Sequence, residues 1–425
     1  MKQFSKTLAG LVLLSWGIGL IVGPLPGATE ARSVHSERIL NPVDLSRTIA
    51  AEPAAPRVPD GEVASDDDPV TAFFQCMRDR SAESPASDSE NPFEAMQRIS
   101  SQCMVSAVMI APDGSIRSDA NERLIALVEQ LGIQLPHPEA QGEAIVPLQP
   151  LADSQVFAVP ITLNGQPKQF LLDTGASNSI VSRPIAKALG LAELPLPSEA
   201  FQYMMVGDSC DEIDASLVTL PPLFLAAANV RGLNGMGLPQ TAIPQEMAGV
   251  LGLDFLSGFD LSIDPQAKEL KLSPPSNPVK NAIPLTGKLG VMTAEVFING
   301  EGPFPFLLDT GADFVVLSEK FARDLSVNLD AATPIQVQGF CGFEDAQQVK
   351  LVEVKVGDRA IADLDAVVIN SEVLAVLGVE GIIGQNFLNH YQQHWRFGPR
   401  NVLGYPEAGS LSLTPIPPME ERIQE

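Results

Sequence analysis

The sequence predicts a mainly β protein of two pseudo-symmetric lobes, preceded by a small helical region. Three observations carry that prediction. An apolar run ending in Asp-Thr-Gly-Ala occurs twice, as Phe170-Leu171-Leu172-Asp173-Thr174-Gly175-Ala176 and, 136 residues later (309 − 173), as Phe306-Leu307-Leu308-Asp309-Thr310-Gly311-Ala312. The pairs Asn164-Gly165 and Asn299-Gly300 stand 8 and 9 residues ahead of the two aspartates (173 − 165 and 309 − 300), each between apolar runs; Asn-Gly is the strongest short hairpin signal. Upstream, apolar residues recur at helical spacing through Phe73-Phe74-Cys76-Met77, Met96-Ile99-Met104-Val108 and Leu124-Ile125-Leu127-Val128-Leu131, which predicts three amphipathic helices.

A chain of 425 residues has room for two or three domains with sizeable cores. Residues 1–31 read as a signal peptide: Lys2 and Lys6, an apolar stretch from Leu8 to Val22, the breakers Gly23-Pro24 and Pro26-Gly27, then small residues around a cut after Ala31. The alternative is an uncleaved anchor, because the stretch approaches spanning length. Residues 32–68, with Asp66-Asp67-Asp68, read as a flexible acidic linker bearing proline. Residues 69–135 hold the three helices, with Ser118 or Asp119 placed to cap the third, and a Pro-rich connector fills 136–151.

Lobe one is expected over 152–280 and lobe two over 281–405, with 406–425 as a tail. Val156-Phe157-Ala158-Val159-Pro160-Ile161 and Val291 to Ile298 read as incoming strands. Ser182 and Ser318, each 9 residues past its aspartate (182 − 173 and 318 − 309), are placed to cap short helices over Pro184–Leu189 and Lys320–Leu325. Val352-Glu353-Val354-Lys355-Val356 alternates as a half-buried strand does. Leu261 to Pro265 with Leu270-Lys271-Leu272 reads as a hairpin closing lobe one. Tyr391 to Arg396, followed by Val402-Leu403-Gly404-Tyr405, closes lobe two less regularly.

Each Asp-Thr-Gly-Ala is answered by a second phrase. Gly249-Val250-Leu251-Gly252-Leu253-Asp254-Phe255-Leu256 follows the first and Gly381-Ile382-Ile383-Gly384-Gln385-Asn386-Phe387-Leu388 the second, 79 (252 − 173) and 75 (384 − 309) residues from Asp to inner Gly. Self-similarity of this kind marks a duplicated structural unit. On these residues the chain resembles the aspartic peptidases of the retropepsin-like type. Two modules are fused in one chain, as in bilobal pepsin-like enzymes. The Ala after each Gly is closer to the retroviral and bacterial pattern than to the Ser or Thr usual in pepsins. The resemblance covers about residues 152–405.

The resemblance implies Asp173 and Asp309 as a catalytic pair, with Thr174 and Thr310 bonding across the pseudo-dyad. It also implies that Gly175 and Gly311 admit close approach to the carboxylates, and that Gly252 and Gly384 lie in strands beneath the loops. Two carboxylates that close cannot both ionise cheaply, so they hold one proton between them. One then serves as base towards water while the other polarises the scissile carbonyl, without cofactor or metal. One departure is visible. Retroviral enzymes pair an Arg in the glycine phrase with an Asp just after the motif; here Asp313 holds the acidic position, but Leu253 and Gln385 replace the Arg.

Four cysteines in an oxidising compartment permit three pairings. A local Cys76–Cys103 bridge stapling two helices is the simplest reading. Cys210 and Cys341 lie 37 (210 − 173) and 32 (341 − 309) residues past their aspartates, in segments that the resemblance assigns to substrate-covering flaps. A bridge between the flaps and two separately buried thiols are both open. The net charge of −25 argues against nucleic acid as a partner; a peptide or protein substrate is what the resemblance implies. Only His35, His137, His390 and His394 are present; His390 and His394 have i,i+4 spacing without a zinc-peptidase Glu and read as a surface pair. No Gly-x-Ser-x-Gly elbow or Walker loop occurs. The resulting expectation is a monomeric, exported (periplasmic or extracellular) aspartic endopeptidase without stable membrane insertion after signal cleavage. The alternative is a non-catalytic binding or scaffolding protein of the cell envelope with the same fold; retention of both Asp-Thr-Gly triplets favours the enzyme.

Overall fold

The computed structural model describes residues 68–83, 92–132, 137–196, 198–244 and 247–416. The expected signal segment and nearly all of the acidic linker lie outside them. Among the described residues no helix is long and apolar enough to cross a membrane.

Two copies of one strand arrangement build the β part. In the first, strand Phe157–Leu163 returns as Gln166–Leu172 through Asn164-Gly165, with Leu163 opposite Gln166. In the second, Val291–Ile298 returns as Glu301–Leu308 through Asn299-Gly300, with Ile298 opposite Glu301. All four turn residues have positive φ (48° and 77°, then 54° and 85°). That conformation matches the twist of the flanking strands and is the reason Asn-Gly closes both hairpins. Each return strand runs into an Asp-Thr-Gly-Ala loop, and a short strand follows, Ile180–Ser182 or Val315–Ser318. Between them slots the strand of the glycine phrase. Gly249–Leu251 lies parallel to 170–172 and antiparallel to 180–181; Gly381–Ile383 repeats both relations with 306–308 and 316–317.

Apolar burial fixes these strands. Phe170, Leu172, Phe306 and Leu308 are fully buried and belong to one core, with Phe255, Phe387 and Trp395, that runs through both lobes. Full burial of such a side chain stabilises by about 1.5–3 kcal/mol. The short helices fall at Arg183–Ala188 and Glu319–Asp324. Ser318 Oγ accepts the Phe321 N–H as a cap should, at 3.2 Å. Ser182 occupies the same position without a side-chain capping bond.

Long-range pairing departs from the sequence expectation. The hairpin Asp260–Asp264 with Glu269–Ser273 joins the lobes rather than only closing the first. Leu261 pairs with Trp395 of strand Tyr391–Phe397, and Leu270 pairs with Val146 of strand Ala144–Pro147. Ala408–Pro415, expected to be tail, is a strand between Tyr391–Phe397 and Ile283–Lys288. Residues 402–405 form a turn, with Leu403 and Tyr405 buried. The expected connector is also structured, with short strands at Glu139–Gln141, Ala144–Pro147 and Gln149–Pro150. The cause is shared burial: Leu261, Ile263, Leu270, Trp395 and Leu411 present alternate residues to the common core and are all at most 2 % exposed.

The N-terminal region folds as three helices, α1 (Pro69–Glu83), α2 (Pro92–Met104, prolonged by a π turn over Val105–Met109) and α3 (Ala120–Gln130). A Cys76–Cys103 disulfide ties α1 to α2. Asp119 stands at the N-cap of α3 but makes no side-chain capping bond. Phe73, Met104, Val108, Leu124 and Leu127 form its core, which continues onto Leu289, Val376, Leu403 and Tyr405 of the second lobe and Tyr203 and Met204 of the first. Asn121 Oδ1, in the first turn of α3, accepts the Leu289 N–H at 2.8 Å.

Candidate active site

The two Asp-Thr-Gly-Ala loops meet between the lobes. Thr174 N–H donates to Thr310 Oγ1 at 3.0 Å and Thr310 N–H to Thr174 Oγ1 at 3.1 Å. Each hydroxyl then donates across the boundary, Thr174 to the Leu308 carbonyl at 2.8 Å and Thr310 to the Leu172 carbonyl at 2.9 Å. Both threonines are fully buried. Four bonds in a dry environment hold the loops in one relative position.

That position brings Asp173 and Asp309 together, their carboxyl groups facing each other closely enough to perturb one another's ionisation. Asp173 is 4 % exposed; Asp309 is half-buried. Asp173 Oδ1 accepts the N–H groups of Gly175 and Ala176, each at 2.8 Å, and Asp309 Oδ1 accepts that of Gly311 at 2.7 Å. Each carboxyl also lies over the glycine of the opposite loop. A Cβ on Gly175 would sit 2.4 Å from Asp309 Cγ, and one on Gly311 would sit 2.5 Å from Asp173 Cγ. Any side chain there would displace the partner's carboxyl.

Burial raises Asp173 well above the usual carboxylate range, and the facing charge of Asp309 adds to the rise. Burial also raises Asp309, against the N–H bond from Gly311 that favours its ionised form. The pair therefore retains one proton well past the pH at which an isolated carboxyl ionises. Such a pair can take a proton at one oxygen and deliver one from another within a single water's reach.

The expected glycines and their neighbours build the floor. Gly252 and Gly384 lie one residue beyond their strands, under the loops: a Cβ would meet the Asn178 carbonyl carbon at 2.6 Å in one lobe and the Phe314 carbonyl oxygen at 2.3 Å in the other. Two further residues were not singled out by sequence. Asp254 Oδ1 accepts from Ser179 N–H (2.9 Å), Ser179 Oγ (2.7 Å) and Phe255 N–H (2.8 Å), and burial pushes its pKa to about 6. In lobe two Asn386 replaces it, accepting from Val315 N–H at 2.8 Å and donating to the Asp365 carbonyl at 2.7 Å. Aligning Gly-Leu-Asp-Phe on Gly-Gln-Asn-Phe puts the two in register and was the available signal.

The missing Arg partner of Asp313 has a physical replacement. Asp313 Oδ1 accepts Ser154 Oγ (2.7 Å) and Gln155 N–H (2.6 Å) from the other lobe. Four residues past Asp173, at the corresponding place, Ser177 Oγ donates to the Leu289 carbonyl at 2.8 Å. Gln385 Nε2 instead donates to the Thr310 carbonyl at 3.1 Å.

Cys210 and Cys341 form a disulfide, with Cα atoms 4.6 Å apart and both residues 3 % exposed. The two segments expected to be flaps differ in form. Cys341 lies at the tip of a long hairpin, Thr333–Gly339 with Gly342–Val356. Cys210 opens a 3-10 turn, Cys210–Glu212, after another at Ser198–Tyr203. Among the described residues no cluster of three or more His, Cys, Asp or Glu is placed to hold a metal, and His390 and His394 are exposed.

Residues 159–258 and 294–390 each match the model of a family described as gag-polyprotein putative aspartyl protease. Among solved structures, a retropepsin-like aspartic protease from Rickettsia conorii is similar at 23 % identity, covering 32 % of this chain and 94 % of that one, with a TM-score of 0.23. No curated protein sequence matches the chain.

Proposed function

The chain carries two retropepsin-like aspartic-peptidase modules, and from that premise we propose that it is an exported endopeptidase with Asp173 and Asp309 as its catalytic pair. The observation that supports this most is the pair of facing carboxyls, each set in its own glycine loop and lying over the glycine of the other. With one proton on the pair, the ionised carboxylate takes a proton from a bound water. The resulting hydroxide attacks the peptide carbonyl as the protonated partner hydrogen-bonds to and then protonates the carbonyl oxygen. The tetrahedral diol collapses when the first carboxyl gives its proton to the leaving amine and the carbonyl re-forms, returning the second proton. Thr174 and Thr310 act as positioning residues, fixing the separation on which the shared proton depends. Two disulfides support export.

A binding role without turnover is the competing reading, and the disulfide joining the flaps is what favours it. A diverse peptide library incubated across acidic and neutral pH separates the two. Asp173→Asn and Asp309→Asn should each abolish cleavage while leaving circular dichroism unchanged. A single variant that keeps near-full activity would sink the assignment.

A further inference from the structure

Around Asp173 and Asp309 the two lobes are joined at several places. At the floor the threonines bond across the boundary. Beside the floor, on opposite sides of the pseudo-axis, Ser177 bonds to Leu289 and Asp313 to Ser154 and Gln155. At the flaps the lobes are joined again, this time covalently. Beside the Cys210–Cys341 bond, Cys341 N–H donates to the Val206 carbonyl (3.1 Å), Ser209 N–H to the Cys341 carbonyl (3.0 Å) and Asp208 N–H to the Phe343 carbonyl (3.2 Å). The backbones touch because Gly339 and Gly207 lack side chains; a Cβ on Gly339 would lie 2.0 Å from the Val206 carbonyl oxygen.

The tips are also exchanged between lobes. Cys341, from lobe two, packs in the apolar cluster of lobe one that contains Ala176. Val206, from lobe one, packs in the cluster of lobe two that contains Ala312. Each alanine ends its Asp-Thr-Gly-Ala loop, so each tip shares an apolar cluster with the loop of the opposite lobe. Starting at Asp173, the chain runs to Cys210, across the sulfurs to Cys341, back to Asp309, and across the threonine bonds to its starting point. This is a closed ring, and a polypeptide lying between floor and flaps passes through it.

We propose that the cleft is a threaded one, so that its substrates are unstructured chains with a free end, while cyclic peptides and loops of folded proteins are excluded. A cleft whose cover swings open receives a segment sideways. A cover fixed by a disulfide and three backbone hydrogen bonds admits a chain lengthwise. This inference rests on the peptidase reading and names the substrate class of that same site.

The test uses two peptides of one sequence, one linear and one closed head to tail, with the full-length protein. Non-reducing peptide mapping first verifies the Cys210–Cys341 link in the sample. Wild-type protein should cleave the linear peptide with a kcat/KM at least about tenfold above that for the cyclic one, a loss of the size that denied positioning imposes. In Cys210→Ser/Cys341→Ser the ratio should fall towards one, which separates threading from the stiffness of the cyclic peptide. Equal cleavage of both peptides by the wild type overturns the proposal, whether or not the double variant folds. A ratio unmoved by the double variant overturns it too, as does cleavage of the linear peptide only once the disulfide is gone, since the cover would then bar all entry. If no form cleaves either peptide, the peptidase reading itself falls.

Discussion

Thr174→Val tests whether the bonds between the two loops hold the lobes in register. Valine keeps the shape of threonine and the backbone donor to Thr310 Oγ1, but loses the hydroxyl. Two groups are stranded: the Thr310 N–H, now 3.1 Å from a methyl, and the Leu308 carbonyl, which had received the hydroxyl at 2.8 Å. Both belong to residues with no measurable exposure, so water cannot replace the lost partner. An unsatisfied buried donor or acceptor costs about 1–3 kcal/mol, which puts the loss at roughly 2–6 kcal/mol. Thr174→Ser is the control, because it keeps both bonds and removes one buried methyl, worth about 1 kcal/mol. Urea unfolding of the three proteins, with the slope m checked for constancy, reads the difference. Peptide cleavage should fall in the same order, since a shift of about 1 Å between the carboxyls costs on the order of a hundredfold in rate. If the Val variant is no less stable and no less active than the Ser variant, the hydroxyl bonds do not set the geometry.

Two predictions concern pH. Because Asp173 is raised in the folded protein, the native state holds more protons than the unfolded one, and stability is lost as pH rises above the ordinary carboxyl value of 3.8. Asp173→Asn should therefore gain melting temperature over wild type progressively as pH increases from about 4; parallel melting curves would refute this. Asp254 is raised for the same reason, with about 6 as its folded value, so its contribution declines between 3.8 and about 6. Asp254→Asn, the residue lobe two already uses at Asn386, should flatten the stability profile across that window, partly offset by the lost attraction to Arg400. An unchanged slope in thermal melts would dismiss the titration of Asp254 as a factor.

What the sequence disclosed was whatever local geometry dictates. Asn164-Gly165 and Asn299-Gly300 demand positive φ and so fix both hairpins and their registers. The duplicated Asp-Thr-Gly-Ala and glycine phrases placed the two carboxyls together, while the cysteine offsets left two readings open, of which the structure has the Cys210–Cys341 bridge. What it hid depends on which strand edges remain unpaired after the lobes form. The alternation of Leu261 and Ile263 announces a strand with one buried face, but not that its neighbour is Trp395, far along the chain. Strand Ala408–Pro415 follows a turn rich in glycine and proline, and its partner edges exist only once residues 283–288 and 391–397 are in place. Asp313 showed that its Arg was missing without showing that Ser154 and Gln155 stand in for it.

The inequality of the two halves has a consequence for how a substrate lies. A site formed by two identical chains looks the same to a polypeptide bound in either direction, and every substitution strikes both halves at once. Here Ser177 stands opposite Asp313, Asp254 opposite Asn386, a 3-10 turn opposite a hairpin tip. The helices α1 to α3, whose Asn121 meets Leu289, pack on Leu289, Val376, Leu403 and Tyr405 of the second lobe and Tyr203 and Met204 of the first, with no second copy of themselves among the described residues. For a chain bound between the lobes as proposed above, the amino-to-carboxyl and carboxyl-to-amino orientations would therefore be energetically distinct. Under the proposed peptidase reading, a change on one side of the carboxyl pair would bear first on the residues preferred on that side of the cut, a freedom that fusion of the two copies supplies.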